Sequence, residues 1–172
     1  KLVARLTKSF EASRGNSCWV RKEEPLTLSD SEPEPDIAVV RGQEADYPTH
    51  PATALLVVEV SVTTLSEDRE LASLYAGAGV AEYWIVDAAA RCVEIYRQPA
   101  NGVFSSRQVA SQDTVIDCAA LPGVCINAAA LFADLLEFLA RHSINPNRLL
   151  DGDRHLFARN GIPVLPSMAH HR

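Results

Sequence analysis

Apolar residues recur at Leu2, Val3, Leu6 and Phe10, a spacing that predicts a helix over 2–13, closed by Gly15-Asn16. Shorter apolar runs rich in β-branched residues follow. Residues 18–21, 36–41 and 54–61 read as strands, separated by a polar, proline-rich loop over 23–35 and a second loop over 42–51. Ser66 followed by acids predicts the cap of a helix running to about Ala76, with Gly77 and Gly79 to close it. Residues 82–88 and 91–97 read as a hairpin about Ala89-Ala90, and 103–110 and 114–118 as further strands. A turn over 121–124 leads to an amphipathic helix over 128–140 that buries Leu131, Leu135, Leu136 and Leu139. Helix, strands, helix, hairpin and helix together make a mixed α/β plan around a central sheet.

The chain has 172 residues, enough for one domain with a full core. Residues 1–141 carry the periodic segments and form that domain. Residues 142–172 are richer in Asn, Asp, Gly and Pro and read as a tail. No apolar run approaches a membrane span, and the opening Lys1-Leu-Val-Ala-Arg does not look like a signal peptide, so a cytoplasmic protein is expected. The four cysteines show no close metal-ligand spacing and read as reduced thiols. A net charge of −6 argues against coating nucleic acid through bulk electrostatics. It leaves room for a nuclease, whose acids are masked by metal and whose basic residues can be local.

Candidate chemistry begins with two acids in the wrong company. Asp36 and Glu59 each sit in an apolar, β-branched run. A carboxylate buried there is costly unless a cation, a proton or a hydrogen bond compensates it. The loop between the two strands allows them to be sheet neighbours, with both carboxylates in reach of one cation. Hard oxygen ligands suit Mg²⁺ or Mn²⁺, which keep several waters for substrate phosphates. The competing reading makes Asp36 a turn residue and pairs Glu59 with an arginine.

Five stretches, taken together, are specific: Ser31-Glu-Pro-Glu-Pro-Asp-Ile-Ala-Val-Val40, Leu55-Leu-Val-Val-Glu-Val-Ser61, Leu74-Tyr-Ala-Gly-Ala-Gly-Val80, Glu82-Tyr-Trp-Ile-Val-Asp87 and Val93-Glu-Ile-Tyr96. On these the chain, from about Leu2 to Phe132, resembles the Uma-type restriction endonuclease family of the PD-(D/E)XK nuclease superfamily. The resemblance implies a restriction-endonuclease-like α/β fold, a central mixed β-sheet flanked by helices. It implies Asp36 and Glu59 as the metal-binding acids, Mg²⁺ (or Mn²⁺) as the cofactor and DNA as the substrate. By analogy it also implies a homodimer that cuts both strands.

One departure stands out. The superfamily motif wants a lysine two positions after the second acid, and Ser61 occupies that place. Members of the family resemble one another in taking the lysine from the following helix instead, between an Asp-Arg pair and a Leu-Tyr-Ala. Here that segment reads Asp68-Arg-Glu-Leu-Ala-Ser-Leu-Tyr75, one residue short and without the lysine. The chain has 13 arginines but only three lysines, none after Lys22. Either Arg69 substitutes, although its high pKa and fork geometry suit it poorly to shuttling protons, or Lys22 reaches the site from the neighbouring strand. The alternatives are a residue missing from the sequence and a catalytically inactive nuclease-fold protein serving as a nucleic-acid-binding or scaffold module. RNA or a nucleotide as substrate would use the same metal chemistry.

Other polar residues are assigned bland roles. Asp68 and Glu70 read as a solvated helix start favoured by the helix dipole. Glu11 reads as solvated, Tyr75 as core, Trp84 as packing and His50 as a loop histidine. The tail contains Leu149-Leu-Asp-Gly-Asp153 and ends Met168-Ala-His-His-Arg172. Joined to Lys1-Leu-Val-Ala-Arg-Leu6, that ending is similar to the family's entry into its first helix. Residues 149–172 then read either as the family's N-terminal hairpin in permuted order or as an unrelated tail.

Overall fold

The computed structural model describes residues 1–13 and 17–133. Helix α1 (Leu2–Ser13) is followed by strands β1 (Cys18–Lys22), β2 (Ile37–Arg41) and β3 (Leu56–Ser61). Helix α2 (Leu65–Gly77) leads into β4 (Glu82–Asp87), β5 (Cys92–Ala100) and β6 (Val103–Ser111). Strands β7 (Val115–Asp117) and β8 (Cys125–Asn127) precede a helical segment that begins at Ala128. Six strands form one sheet in the order β1-β2-β3-β4-β5-β6. Neighbours are antiparallel except β3 and β4, which run parallel and are connected through α2. The expected mixed sheet flanked by helices is the observed architecture.

Strand alternation sorts the side chains onto two faces. One face carries Val39, Leu56, Val58, Trp84 and Val86, packed with Leu6 and Phe10 of α1. The other carries Val57, Tyr83, Ile85 and Tyr96, packed with Tyr75 of α2. Every residue of β4 is buried, because this strand lies mid-sheet with apolar layers on both sides. A Schellman closure stops α2: Val80 N–H donates to the Tyr75 carbonyl at 3.0 Å and Gly79 N–H to Ala76 at 3.1 Å, with Gly79 at φ +74°.

Some expectations need correction. Helix α2 starts at Leu65 after Thr64, so Ser66 is not its cap; the Ser66 hydroxyl donates to Glu67 instead. Strand β5 runs on to Ala100 and turns into β6 through Asn101-Gly102, both at positive φ, the geometry of a two-residue hairpin turn. Pro99 is tolerated because it lies beyond the last β4 pair, at Arg97. Strand β7 is not part of the central sheet; it pairs with β8, a strand too short to read from sequence, across the turn at Gly123. Of the predicted 128–140 helix only 128–133 is described. The Gly15-Asn16 stop and the 142–172 tail, with its permuted-hairpin reading, lie outside the described residues.

Glu82 ties the β7–β8 hairpin to the sheet. Its side chain is buried, 1% exposed, and its partners converge from separate elements. Oε1 accepts from Trp84 Nε1 at 2.8 Å and Arg97 Nε at 2.9 Å; Oε2 accepts from Ala120 N–H at 2.8 Å and Cys118 Sγ at 3.6 Å. Removing the carboxylate takes the partner from a partly buried guanidinium, the buried Trp84 indole N–H and the Ala120 N–H. Glu82→Ala is therefore expected to destabilise the fold by about 3–5 kcal/mol. Urea unfolding checks this, and a midpoint unchanged from wild type would show that Glu82 does not anchor the hairpin.

Candidate active site

Antiparallel pairing of β2 with β3 sets Ile37 opposite Val58, so Asp36 falls beside Glu59 just past the end of the ladder. The two acids are interlocked through each other's backbone. Val60 N–H donates to Asp36 Oδ2 at 2.6 Å, and Asp36 N–H donates to Glu59 Oε2 at 3.2 Å. Pro35 holds the approach to β2 extended and supplies no competing N–H. Glu59 Oε1 accepts from the Tyr75 hydroxyl at 2.9 Å. Tyr75 thus holds a site acid as well as packing in the core, which sequence reasoning missed.

Asp68 is the second miss. It lies in the first turn of α2, seven residues before Tyr75 and on the same helical face, and it is only 9% exposed. The i, i+7 spacing was the available signal. The Thr64 hydroxyl donates to Asp68 Oδ2 at 2.9 Å, and the Tyr83 hydroxyl donates to the Asp68 carbonyl at 2.8 Å. Ser61, at the motif-lysine position, is buried; no partner meets hydrogen-bond geometry at its Oγ, though it lies near enough to Asp68 to favour the ionised form.

The electrostatics are those of acids crowded in a poorly solvated place. Burial pushes Glu59 up to about 8, with the Asp36 charge adding to the rise and the bonds from Tyr75 and Asp36 N–H opposing it. Burial also raises Asp36, against the bond from Val60; Asp68 and Glu23 raise it further and Lys22 lowers it. Asp68 is raised by burial, against the Thr64 and Ser61 hydroxyls.

The two basic residues expected here part ways. Lys22 ends β1 opposite Ile37, next to Asp36, with its ammonium half exposed and 3.7 Å from Glu23 Oε1. Arg69 does not come to the acid pair. Glu94 of β5 takes its Nε and Nη2, because Arg69 follows Asp68 on the helix and points about 100° away. Trp84 packs on Phe10 as expected, and exposed Glu11 and Glu70 are solvated. His50 Nδ1 lies 3.2 Å from Arg21 Nη2, away from the acids.

Among the described residues no group of three or more His, Cys, Asp and Glu side chains is arranged to hold a metal ion. A two-carboxylate donor set nevertheless fits a hard divalent cation that completes its shell with water and substrate oxygens. Asp36 and Glu59 are fixed in direction and repel each other, and the bonds they accept come from neutral N–H and O–H groups. A cation would relieve both.

A mixed sheet flanked by helices, with an acid pair at the ends of two adjacent strands, defines a restriction-endonuclease-like domain. The chain belongs to the Uma2 family, whose model, described as "Putative restriction endonuclease", matches residues 1–129. Among solved structures, the chain is similar to a "putative nuclease belonging to DUF820" from Anabaena variabilis, with TM-score 0.65 and 15% identity over 78% of this chain and 79% of that one. The type IIG restriction endonuclease BpuSI matches with TM-score 0.44 and 14% identity over 88% of this chain and 16% of that one. No curated protein sequence matches. Among the described residues no helix is long and apolar enough to cross a membrane.

The raised Glu59 has a measurable consequence. Because its folded pKa lies above the ordinary glutamate value of 4.5, the folded state holds a proton that the unfolded chain gives up. That stability is fully present below about 4.5 and is lost as pH rises through about 8. Metal-free protein is expected to lose unfolding free energy between these values, and Glu59→Gln is expected to flatten this part of the profile. Chemical denaturation at pH 5 and pH 8 checks both, and parallel profiles for the two proteins would refute the buried-acid account.

Proposed function

We propose that the chain hydrolyses phosphodiester bonds of DNA in a divalent-cation-dependent reaction, with Mg²⁺ or Mn²⁺ held by Asp36 and Glu59. The observation that carries this reading is the interlocked acid pair: a buried Glu59 and a partly buried Asp36, locked by backbone N–H donors, where adjacent strands leave their ladder in a nuclease-family fold. When bound, the cation supplies charge neutralisation at the phosphodiester and lowers the pKa of a coordinated water.

The chain's own residues do the rest. Val60 N–H and the Tyr75 hydroxyl fix the directions of the carboxylates, so little reorganisation is needed when charge develops on the phosphate. Lys22 is the cation offered to that charge; its ammonium lies close enough to lower the Asp36 pKa and is only loosely engaged by Glu23. A homodimer is the assembly that a double-strand cut would call for.

A second reading has its own support. Ser61 stands where the motif wants a lysine, and Arg69 is committed to Glu94. Both features suit a catalytically inactive nuclease-fold protein that binds nucleic acid or serves as a scaffold.

Mn²⁺ titration by calorimetry separates the two without knowledge of the target. The proposal expects binding to wild type that Asp36→Asn and Glu59→Gln each abolish. No binding to wild type would remove the catalytic centre and favour the inactive module. On plasmid DNA, Lys22→Met is expected to lower the cleavage rate about a hundredfold or more, the scale of a lost charge-stabilising donor. Cleavage at the wild-type rate would strike Lys22 from the mechanism.

A further inference from the structure

Glu94 is buried on the sheet face that also carries Glu59, and it gathers two arginines. Arg69 gives it Nε at 3.2 Å as well as Nη2, Arg107 of β6 gives Nη2 at 3.0 Å, and the Tyr96 hydroxyl donates at 2.7 Å. Arg107 Nε also bonds the Tyr96 hydroxyl at 3.2 Å, and its guanidinium lies 5.8 Å from the centre of that ring. The trio holds two positive charges against one negative, and the buried Asp87 carboxylate at the end of β4 is a second acid acting on Arg69. Both arginines are half exposed, at 46% and 48%, whereas Glu94 is 3% exposed. Their bonds use Nε and Nη2, and among the described residues Nη1 of each has no protein partner.

Position adds direction to this charge. Glu59 pairs with Ile85 across β3 and β4, and Ile85 pairs with Glu94 across β4 and β5. The two acids thus lie on one row, about 10 Å apart by two interstrand spacings. That distance spans a few nucleotides of one strand, at about 3.4 Å of rise each. A rigid pair of guanidinium forks at such an offset suits phosphate oxygens, and Arg is the side chain whose planar donors match them.

Resting on the nuclease reading above, we infer that Arg69 and Arg107, preorganised by Glu94, bind backbone phosphates a few nucleotides from the scissile bond and set the register of the strand over Asp36 and Glu59. Arg69 is on this account a positioning residue, and the two half-exposed guanidinium groups offer anionic DNA a docking point on a chain of net charge −6.

The test measures the affinity of a fluorescently labelled duplex of mixed sequence by anisotropy, in EDTA so that no strand is cut, at salt concentrations from about 50 to 200 mM. Arg107→Gln, which leaves Arg69 on Glu94, is expected to weaken binding several-fold and to reduce the slope of log affinity against log salt by about one. Arg69→Gln, which leaves Arg107 on Glu94, gives the same reading independently should the first variant not fold. Arg107→Lys keeps the charge and is expected to keep the slope. A purely structural role would lower the melting temperature of the glutamine variants and leave the slope of their folded forms at the wild-type value, which would overturn the inference alone. Wild type that binds no duplex, with or without Mn²⁺, would overturn the nuclease reading and this inference with it. Mn²⁺ affinity of Arg107→Gln is expected to match wild type, so a loss there would also count against a role confined to the strand.

Discussion

Two carboxylates hold each other in place through the other's main chain, and the arrangement of the site follows from that constraint. The Val60 N–H that grips Asp36 and the Asp36 N–H that grips Glu59 belong to the ends of β2 and β3, so the strand ladder itself aims the acids. Without those bonds two like charges, one buried and one partly buried, would separate or turn to water. The sheet prevents this, and protonation bears the strain, with Glu59 pushed up to about 8. A place where the fold tolerates unfavourable charge is a place where a cation gains most.

Helix α2 completes the arrangement because an aromatic cluster seats it. Tyr75 lies against Tyr83 with ring centres 5.0 Å apart, and Tyr83 lies against Tyr96 at 5.7 Å and Phe104 at 6.3 Å. The Tyr83 hydroxyl reaches up to the Asp68 carbonyl and fixes the first turn of the helix. With that turn fixed, adjacent residues serve separate places: the Asp68 charge acts on the acid pair, and Arg69 bonds Glu94. Rotating the helix about its axis would disturb both at once.

Much of this was legible in the sequence for a simple reason. Strands β2, β3 and β4 are apolar, β-branched runs, and an acid inside such a run conflicts with its surroundings in a way that marks function. Asp68 was not legible in the same way. It sits among Ser66, Glu67 and Glu70, where a solvated helix start is the natural expectation, and only the packing of α2 on Tyr83 buries it. Arg69 misled for a related reason: its partner lies 25 residues further along, and strand register decides that pairing. Strand β8 has three residues and no alternation to read, and the Asn101-Gly102 turn that joins β5 to β6 was not read from the sequence although that dipeptide suits a two-residue hairpin.

Three buried glutamates on one sheet show how environment sorts a single residue type. Glu82 receives an arginine, an indole, a backbone N–H and a thiol. Glu94 is pushed up by burial but receives two arginines and a phenol, and these bring it down to about 2. Glu59 receives one phenol and one backbone N–H, neither carrying charge, and rises to about 8. All three show little surface to water, but Glu59 lies deeper in the protein than Glu94. Depth raises Glu59, and the charge of the donors decides whether that rise is compensated. Arginine compensates Glu82 and Glu94 within the fold, and their carboxylates act as anchors. Glu59 is left with a deficit that a divalent cation can fill, and pKa values driven apart in this way are the physical mark that separates an acid serving the fold from one serving chemistry.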